Sequence, residues 1–537
     1  MSDQRILASS AVMAAGTVVS RASGFVRSAL LVLALGGALR ADLFSIANTI
    51  PNMVYILVAG GVFNAVLVPQ LVRRIKDDAD GGDAYASRII TLSALFLGAV
   101  TVVLMVLAPV LLRLYLDDDF LEPALAAQLE SIIDLTRWCL PQVFFYGMYV
   151  LIGQVLNARG RFGPMMWAPI ANNVISVAML VSYLLAFGAV TVTQTGQALS
   201  SSQEALLGVG STLGIAAQLV VLVPYLRASG FVYRPRFDFR DPELRKTLSL
   251  GIWTVLFVVA TQLAYMYVVK LASGGSAAGG TGYTVYSTGL LLMMVPHSVV
   301  TVSLATAILP RISSLAHAAE VAVVGETLGT ALALVLPFAV LLPVVSDDVA
   351  NALFGWGATD PEQFAPTIAL FGPALVPFTV HYLMQRGFYS LEATRRVFYI
   401  QCAVALTNVV AAHLLVTARP PVDTAPMLVL ANLLSYLVGS MISFTVLRRT
   451  LGELHGAQLV RFGVRMALVL AVAAAAAWGV EWALSGLGEE PHPLVALARG
   501  GAAGAAGLLV VLAGARVLRV REVTSLVDTV AARVRRG

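Results

Sequence analysis

Apolar residues run along this chain in stretches of twenty or more, separated by short polar segments. A helix needs about 20 apolar residues to cross a bilayer. Fourteen stretches meet that length, at 6–35, 42–72, 88–114, 129–158, 164–188, 204–227, 246–271, 282–310, 321–345, 363–391, 396–417, 424–447, 460–485 and 492–516. The first follows Arg5 and leads straight into the second, so it reads as a span and not as a cleaved signal. Prolines interrupt several of these stretches: Pro51, Pro69, Pro141, Pro169, Pro296, Pro373 and Pro377. Each removes a helical hydrogen bond and predicts a kink that neighbouring helices must satisfy.

Composition narrows the class. Of 537 residues, 58% are hydrophobic and 12% charged, with a mean hydropathy of +0.84. A soluble fold could not hide so much apolar surface behind so little charge, and disorder or a disulfide scaffold is excluded by the same figures. The chain is predicted to be an all-α polytopic membrane protein. Cys139 and Cys402 lie inside apolar segments and imply neither a disulfide nor a metal site. Only Lys76, Lys246 and Lys270 accompany the arginines, which reads as the codon bias of a GC-rich genome.

A net charge of +5 and a pI near 9.2 would suggest nucleic acid in a soluble protein. Here the charge follows topology. With the N-terminus inside, the inner segments hold 27 of the 35 basic residues. The outer loops keep chiefly Arg40 and Arg419 and collect Asp117, Asp118, Asp119, Asp347, Asp348, Glu489 and Glu490, short acidic runs that read as solvated. This asymmetry is what the positive-inside rule predicts for an even number of spans with both termini cytoplasmic. No nucleic-acid partner is expected.

The spans also repeat. Gln154-Val-Leu-Asn-Ala-Arg-Gly-Arg161 with Asn173 twelve residues after Arg161 matches Tyr389-Ser-Leu-Glu-Ala-Thr-Arg-Arg396 with Asn408 twelve after Arg396. Pro51 and Pro69 of span 2 are echoed by Pro296 and Pro310 of span 8. The reading is an N-lobe of spans 1–6 (1–230), a C-lobe of spans 7–12 (231–450), and spans 13–14 with a tail (451–537). Parallel repeats of this kind are a transporter architecture.

Two charges stand out as expensive. Arg21 and Arg27 lie within span 1, Arg21 about 24 Å along a helix that starts near Arg5. A charge at a helix centre costs about 2.5–3.5 kcal/mol even on the lenient insertion scale. Six residues turn a helix by about 600°, leaving the two guanidiniums some 120° apart, an arrangement that could flank one ligand. The planar fork of arginine suits phosphate oxygens, so the pair reads as a pyrophosphate or anion site. The alternative is structural, with Arg27 reaching outward and Arg21 paired with Asp42. Asp42 itself heads span 2, where it could equally cap the helix. Arg137 follows Asp134 at a pairing distance of three residues and reads as structural. Lys270 either snorkels into the glycine-rich loop 274–280 or adds a cavity charge, and His297 after Pro296 reads as a packing histidine. No metal-ligand spacing, nucleophile elbow or P-loop is present in the sequence, so an enzyme is not expected.

Ser20-Arg-Ala-Ser-Gly-Phe-Val-Arg27, Gly36-Gly-Ala-Leu-Arg-Ala-Asp-Leu-Phe44, Ile50-Pro-Asn52 and, more weakly, Asn157-Ala-Arg159 resemble the MurJ (MviN) family of lipid II flippases, in the multidrug/oligosaccharidyl-lipid/polysaccharide exporter superfamily. The resemblance covers essentially the whole chain. It implies a MATE-like fold of two six-helix lobes around a V-shaped cavity, with two extra C-terminal helices forming a lipid-facing groove. The implied substrate is lipid II, the undecaprenyl-pyrophosphate-linked muropeptide. Arg21, Arg27 and Asp42 match the family's arginines and aspartate. Other family positions differ here: an arginine falls at Tyr55, a glutamate at Gly60, a cavity arginine at Leu291 and an aspartate at Ser28. The first lobe is therefore expected to hold most of the pyrophosphate, with Arg21 and Arg27 central, Asn52 donating from span 2 and Lys270 assisting if it turns inward. The composition suggests an actinobacterial branch.

The expected function is flipping of lipid II from the inner to the outer leaflet of the bacterial plasma membrane. A cation-coupled exporter of drugs or other polyprenyl-linked saccharides, and more distantly a polytopic glycosyltransferase, are the alternatives. No cofactor is expected, with coupling to the membrane potential or a monovalent cation. Expected partners besides lipid II are membrane lipids and cell-wall synthesis or regulatory proteins on the cytoplasmic side.

Overall fold

The computed structural model describes residues 3–57, 74, 80, 82–237, 252–302, 304, 317–357, 359–452, 456–488 and 492–524. Gly60, Pro69, Pro310, Glu489, Glu490 and the basic residues Arg73, Lys76, Arg240, Arg245, Lys246, Arg311, Arg533, Arg535 and Arg536 lie outside them. Every regular element among the described residues is helical.

Twelve helical stretches among the described residues are long and apolar enough to span a membrane: Asp83–Val106, Pro123–Ala158, Gly163–Phe187, Ser201–Ala228, Ile252–Ala277, Tyr283–Val302, Gly325–Val344, Pro361–Ser390, Thr394–Thr417, Pro421–Thr450, Val460–Leu484 and Pro493–Val517. They fall one to one on the third to fourteenth stretches read from the sequence. The first two stretches correspond to α1 (Asp3–Leu35) and α2 (Leu39–Tyr55), and the rest of the second lies beyond the described residues. Large apolar side chains stay exposed on the spans, with Val106, Leu185, Trp482 and Val517 each more than two-thirds accessible. Such a surface belongs in lipid.

By internal contact the chain divides into Met1–Thr284 and Val285–Gly537. In the first unit α1 and α2 are followed by α3 (Asp83–Val106), α4 (Ala108–Tyr115), α5 (Ala126–Cys139), α6 (Gln142–Ala158), α7 (Gly163–Phe187), α8 (Ser201–Val220), α9 (Leu222–Ala228) and α10 (Ile252–Ala277). Pro141 separates α5 from α6, because proline cannot donate to the preceding turn. α1 lies along α7, α7 along α8, and α2 against α5 and α6. The core between α2, α3 and α6 is built from Tyr55, Tyr85, Ile89, Leu97, Tyr149 and Leu156. Arg159 closes one end of this unit, ion-paired to Asp83 and 5.2 Å from the Phe231 ring centre. α10, which the sequence reading groups with the second lobe, packs on α2 and α4. Its C-terminal end is tied down by the Asp117 backbone N–H donating to Ser273 Oγ at 2.8 Å.

The second unit holds the body of α11 (Tyr283–Pro296), then α12 (His317–Val344), α13 (Ser346–Phe354), α14 (Ala365–Ser390), α15 (Thr394–Thr417), α16 (Thr424–Leu451), α17 (Gly456–Leu484) and α18 (Pro493–Val517). Beyond Pro296 the α-helix gives way to a π-helical segment, His297–Val302, the local loosening that a helix-interior proline produces. His297 sits there as a packing residue, its ring edge-on to Phe378 at 4.6 Å and Tyr382 at 4.8 Å. α14 lies between α12 and α16, and α17 and α18 form a hairpin.

Each unit contains one copy of the repeated polar turn, and both copies close the same way. After α6, Gly160 takes a left-handed conformation (φ 76°) and the Arg161 N–H donates to the Leu156 carbonyl at 2.9 Å. After α14, Glu392 does so (φ 53°) and the Ala393 N–H donates to the Phe388 carbonyl at 2.9 Å. This is the Schellman closure, and Glu392 holds it without glycine's freedom at a cost of about 1 kcal/mol.

The structure corrects one acidic run. Asp347 is exposed, but Asp348 is 1% exposed. Its carboxylate accepts from Arg499 Nε at 2.8 and 3.0 Å and pairs with Arg499 Nη2 at 2.6 Å. α13 turns Asp348 inward against α18, where Gly500 leaves room: a Cβ there would stand 2.7 Å from Asp348 Cβ. Arg40, expected in an outer loop, is likewise buried. Its Nη2 donates to Gln203 Oε1 at 2.8 Å and Tyr183 Oη at 3.2 Å.

Candidate functional site

α1 carries both arginines, and α7 holds the segment that presents the first. Asn173, 7% exposed, donates its amide to the Ser20 carbonyl at 2.9 Å and to Ser23 Oγ at 2.8 Å. Ser23 Oγ in turn donates to the Ser20 carbonyl at 2.9 Å. Lower on the same interface the helices meet closely at Gly16, where a Cβ would be 3.0 Å from the Trp167 ring. Polar bonds inside a membrane bundle are worth about 1 kcal/mol each and fix register as well as proximity. Arg21 sits between the two serines so restrained.

Arg21 and Arg27 are both half-buried. Arg27 lies within electrostatic range of Tyr146 on α6. Tyr146 stacks on Tyr55 with ring centres 5.8 Å apart and planes 20° apart. Tyr55 thus places an aromatic ring behind a neighbour of Arg27. Asn52, one turn before Tyr55 on α2, is half-buried. Another turn back, Asn48 Oδ1 accepts from Gln142 Nε2 at 2.9 Å, which fixes this polar face of α2 against the start of α6. Arg27, Tyr146 and Tyr55 are brought together, with Asn52 on the same helix as Tyr55.

Asp42 is placed elsewhere. It is fully buried, Oδ2 accepting from the Tyr283 N–H and Oδ1 from the Thr284 N–H, each at 2.7 Å. Both carboxylate oxygens are therefore spent on the free amides that open α11, a cap supplied by a distant helix. The same face of α2 continues the docking: Ser45 Oγ accepts from Thr284 Oγ1 at 2.9 Å, and Thr49 Oγ1 accepts from Tyr283 Oη at 3.1 Å. Pairing of Asp42 with Arg21 is ruled out, since Arg21 precedes the end of α1 by fourteen residues, about 21 Å. Gly282 makes the close approach possible, because a Cβ there would stand 2.0 Å from Asp42 Oδ2.

Lys270 points to the loop side. Its Nζ is 3.0 Å from Asp118 Oδ1, in a pair whose carboxylate is 83% exposed. Arg137 and Asp134 pair at 3.0 Å, as their spacing predicts. Leu291 of α11 is half-buried. Among the described residues no cluster of three or more His, Cys, Asp or Glu could hold a metal ion. Sequence reasoning used Asn173 only as a repeat landmark. Its position, an amide in the middle of an apolar span, was the signal that it bonds a neighbouring span, here on either side of Arg21. Tyr146 gave no such signal, because it enters through the fold.

Fourteen apolar stretches, a duplicated helical turn and basic side chains inside a membrane-length helix define a polytopic transporter. The fold agrees. It matches the solved structure of lipid II flippase MurJ in an inward closed conformation, with a TM-score of 0.69 at 15% identity over 94% of this chain and 99% of that one. It also matches an inward-facing multidrug resistance MATE transporter of the MOP superfamily, at 0.61 and 15% identity over 81% of this chain and 95% of that one. The family model described as lipid II flippase MurJ matches residues 31–489, and the chain belongs to this family. The matched stretch begins just after Arg21 and Arg27. Relatives include the probable lipid II flippase MurJ of Rhizobium tropici, 28% identical over 73% of this chain and 72% of that one. Its counterpart in Vibrio cholerae is 26% identical over 73% of this chain and 74% of that one.

Proposed function

We propose that this chain carries lipid II from the inner to the outer leaflet of the plasma membrane by alternating access, holding the pyrophosphate chiefly through Arg21 and Arg27. The observation that supports the reading is the half-buried arginine pair on α1, with Asn173 bonded to Ser20 and Ser23 on either side of Arg21, in a chain of the lipid II flippase family. Negative charges entering a low-dielectric site need close cationic partners, because desolvation otherwise costs several kcal/mol per ion. Arginine meets that need and is the better phosphate ligand of the two common cations.

Tyr55 and Leu291 replace cations at two positions, so the headgroup site is asymmetric and rests on the first unit. Asn52 contributes a donor from α2. Lys270, engaged by Asp118, takes at most a minor part. Both termini face the cytoplasm, in keeping with the 27 of 35 basic residues assigned to inner segments. Transport is driven by the membrane potential or a monovalent cation. Depletion of the protein in its host, with lipid II on the outer face followed by an impermeant probe, tests the reading. Outer-face lipid II should fall while the total rises, and unchanged exposure would refute it.

A further inference from the structure

α2 is enclosed almost throughout. Of its 17 residues, all are buried except Asn48, Thr49 and Asn52. Positions 48, 49 and 52 fall within about 100° of one another around a helix, so they form one open strip. On α3 and α7 the exposed Val106 and Leu185 are large and apolar, as a lipid-facing surface requires. An opening made of two carboxamides and a hydroxyl does not suit lipid. Inside a membrane protein it marks a polar cavity or a ligand site.

The strip carries no charge, and its groups are unequally engaged. Thr49 Oγ1 accepts from Tyr283 Oη at 3.1 Å. Asn48 Oδ1 accepts from Gln142 Nε2 at 2.9 Å, which leaves the Asn48 Nδ2 hydrogens to donate. Gln142 is 1% exposed, and its Oε1 has no hydrogen-bond partner among the described residues. A native fold seldom leaves such an acceptor unpaired without a reason. One turn along α6, the half-buried Tyr146 stacks on Tyr55 and lies within electrostatic range of Arg27. Asn48 precedes Tyr55 by seven residues, about 10 Å along α2. The amide strip therefore leads away from the arginine site along the same helix.

Carboxamides both donate and accept, which matches hydroxyl groups. An aromatic ring beside them offers an apolar surface with a polar tip, which suits the two faces of a sugar. In an undecaprenyl-pyrophosphate-linked muropeptide a sugar follows the pyrophosphate directly. We propose that Asn48, oriented by Gln142, binds together with the Tyr146 ring the saccharide joined to the pyrophosphate at Arg21 and Arg27. This subsite rests on the flippase reading and adds to it a second point of recognition in the first unit.

The full chain in detergent is titrated with lipid II and, separately, with undecaprenyl pyrophosphate that carries no sugar. The parent should bind lipid II about tenfold more tightly, because a site built to bond hydroxyls disfavours the ligand that lacks them. Asn48→Leu, similar in size but without the amide, should weaken lipid II about tenfold, the effect of one or two neutral hydrogen bonds. It should leave the sugar-free lipid unchanged. Gln142→Met acts only through Asn48 and should shift the same ratio less. Asn48→Ser keeps a hydrogen-bonding group and should recover part of the preference, and it replaces Asn48→Leu if that variant melts early. Equal weakening of both lipids, or a parent without preference for lipid II, would overturn the subsite while leaving the flippase reading intact. A parent that binds neither lipid would overturn both.

Discussion

Asn173 of α7 donates its side-chain amide to the Ser20 carbonyl of α1 at 2.9 Å, one residue before Arg21. A buried amide from one span therefore sets the rotation and height of the arginine on another. Removing it should harm transport more than stability. For Asn173→Ala the two lost bonds are worth about 1–2 kcal/mol together, a shift of a few degrees in detergent melting. Complementation of a flippase-deficient strain should nevertheless fall sharply. A variant that melts far below the parent yet still complements would reverse the assignment.

The two arginines should be functional. Arg21→Ala and Arg27→Ala are each expected to abolish complementation while leaving membrane levels and melting nearly unchanged. Arg→Lys at either site keeps charge but loses the planar fork, so partial activity is expected. Asn52→Ala should be intermediate and Lys270→Ala mild, since an ion pair with an exposed carboxylate contributes about 0–1 kcal/mol. Loss of the arginine variants from the membrane, or a Lys270→Ala variant as inactive as they are, would contradict this order.

Asp42 should behave as a structural residue. Asp42→Ala leaves the Tyr283 and Thr284 amides buried without an acceptor, a penalty of about 1–3 kcal/mol for each. Asp42→Asn can still accept one of the two bonds and should lose less. Gly282→Ala forces a methyl onto the Asp42 carboxylate and should resemble Asp42→Ala in a thermal-shift assay. Equal melting of all four proteins would show that the cap is dispensable.

The buried pair of the second unit invites a sharper test. Asp348→Ala leaves Arg499 the longer contact with Glu481, whose Oε2 is 3.5 Å from Arg499 Nε. Breaking a buried ion pair costs about 3–5 kcal/mol, so the variant should melt well below the parent. Asp347→Ala, its exposed neighbour, should melt unchanged, and parity between the two would argue against the inward placement of Asp348.

Topology can be read by cysteine labelling. Cysteines placed at Asp118 and Asp347, both exposed, should react with an impermeant reagent added to intact cells, and one at Arg236 should not. Position 348 would be a poor probe because it is buried. Labelling at 236 from outside would break the assignment of both termini to the cytoplasm.

Class, helical architecture and the third to fourteenth spans were legible in the amino-acid sequence, because hydropathy is a local sum that each segment reports by itself. The repeated turn was legible too, since a Schellman closure depends on neighbours a few residues apart. So was the cost of Arg21 and Arg27, which follows from their position within one apolar stretch. What the tertiary structure decided is which distant groups meet. Asp42 reads alike as a ligand or a cap until the amides of Tyr283 and Thr284 arrive from 241 and 242 residues away. Asp348 reads as solvated until α18 brings Arg499 from 151 residues on. Asn173 becomes a support for the arginine site only when α7 lies along α1. A carboxylate or amide carries no local mark of its partner, because hydrogen bonds and ion pairs act over about 3 Å in space and are blind to distance along the chain.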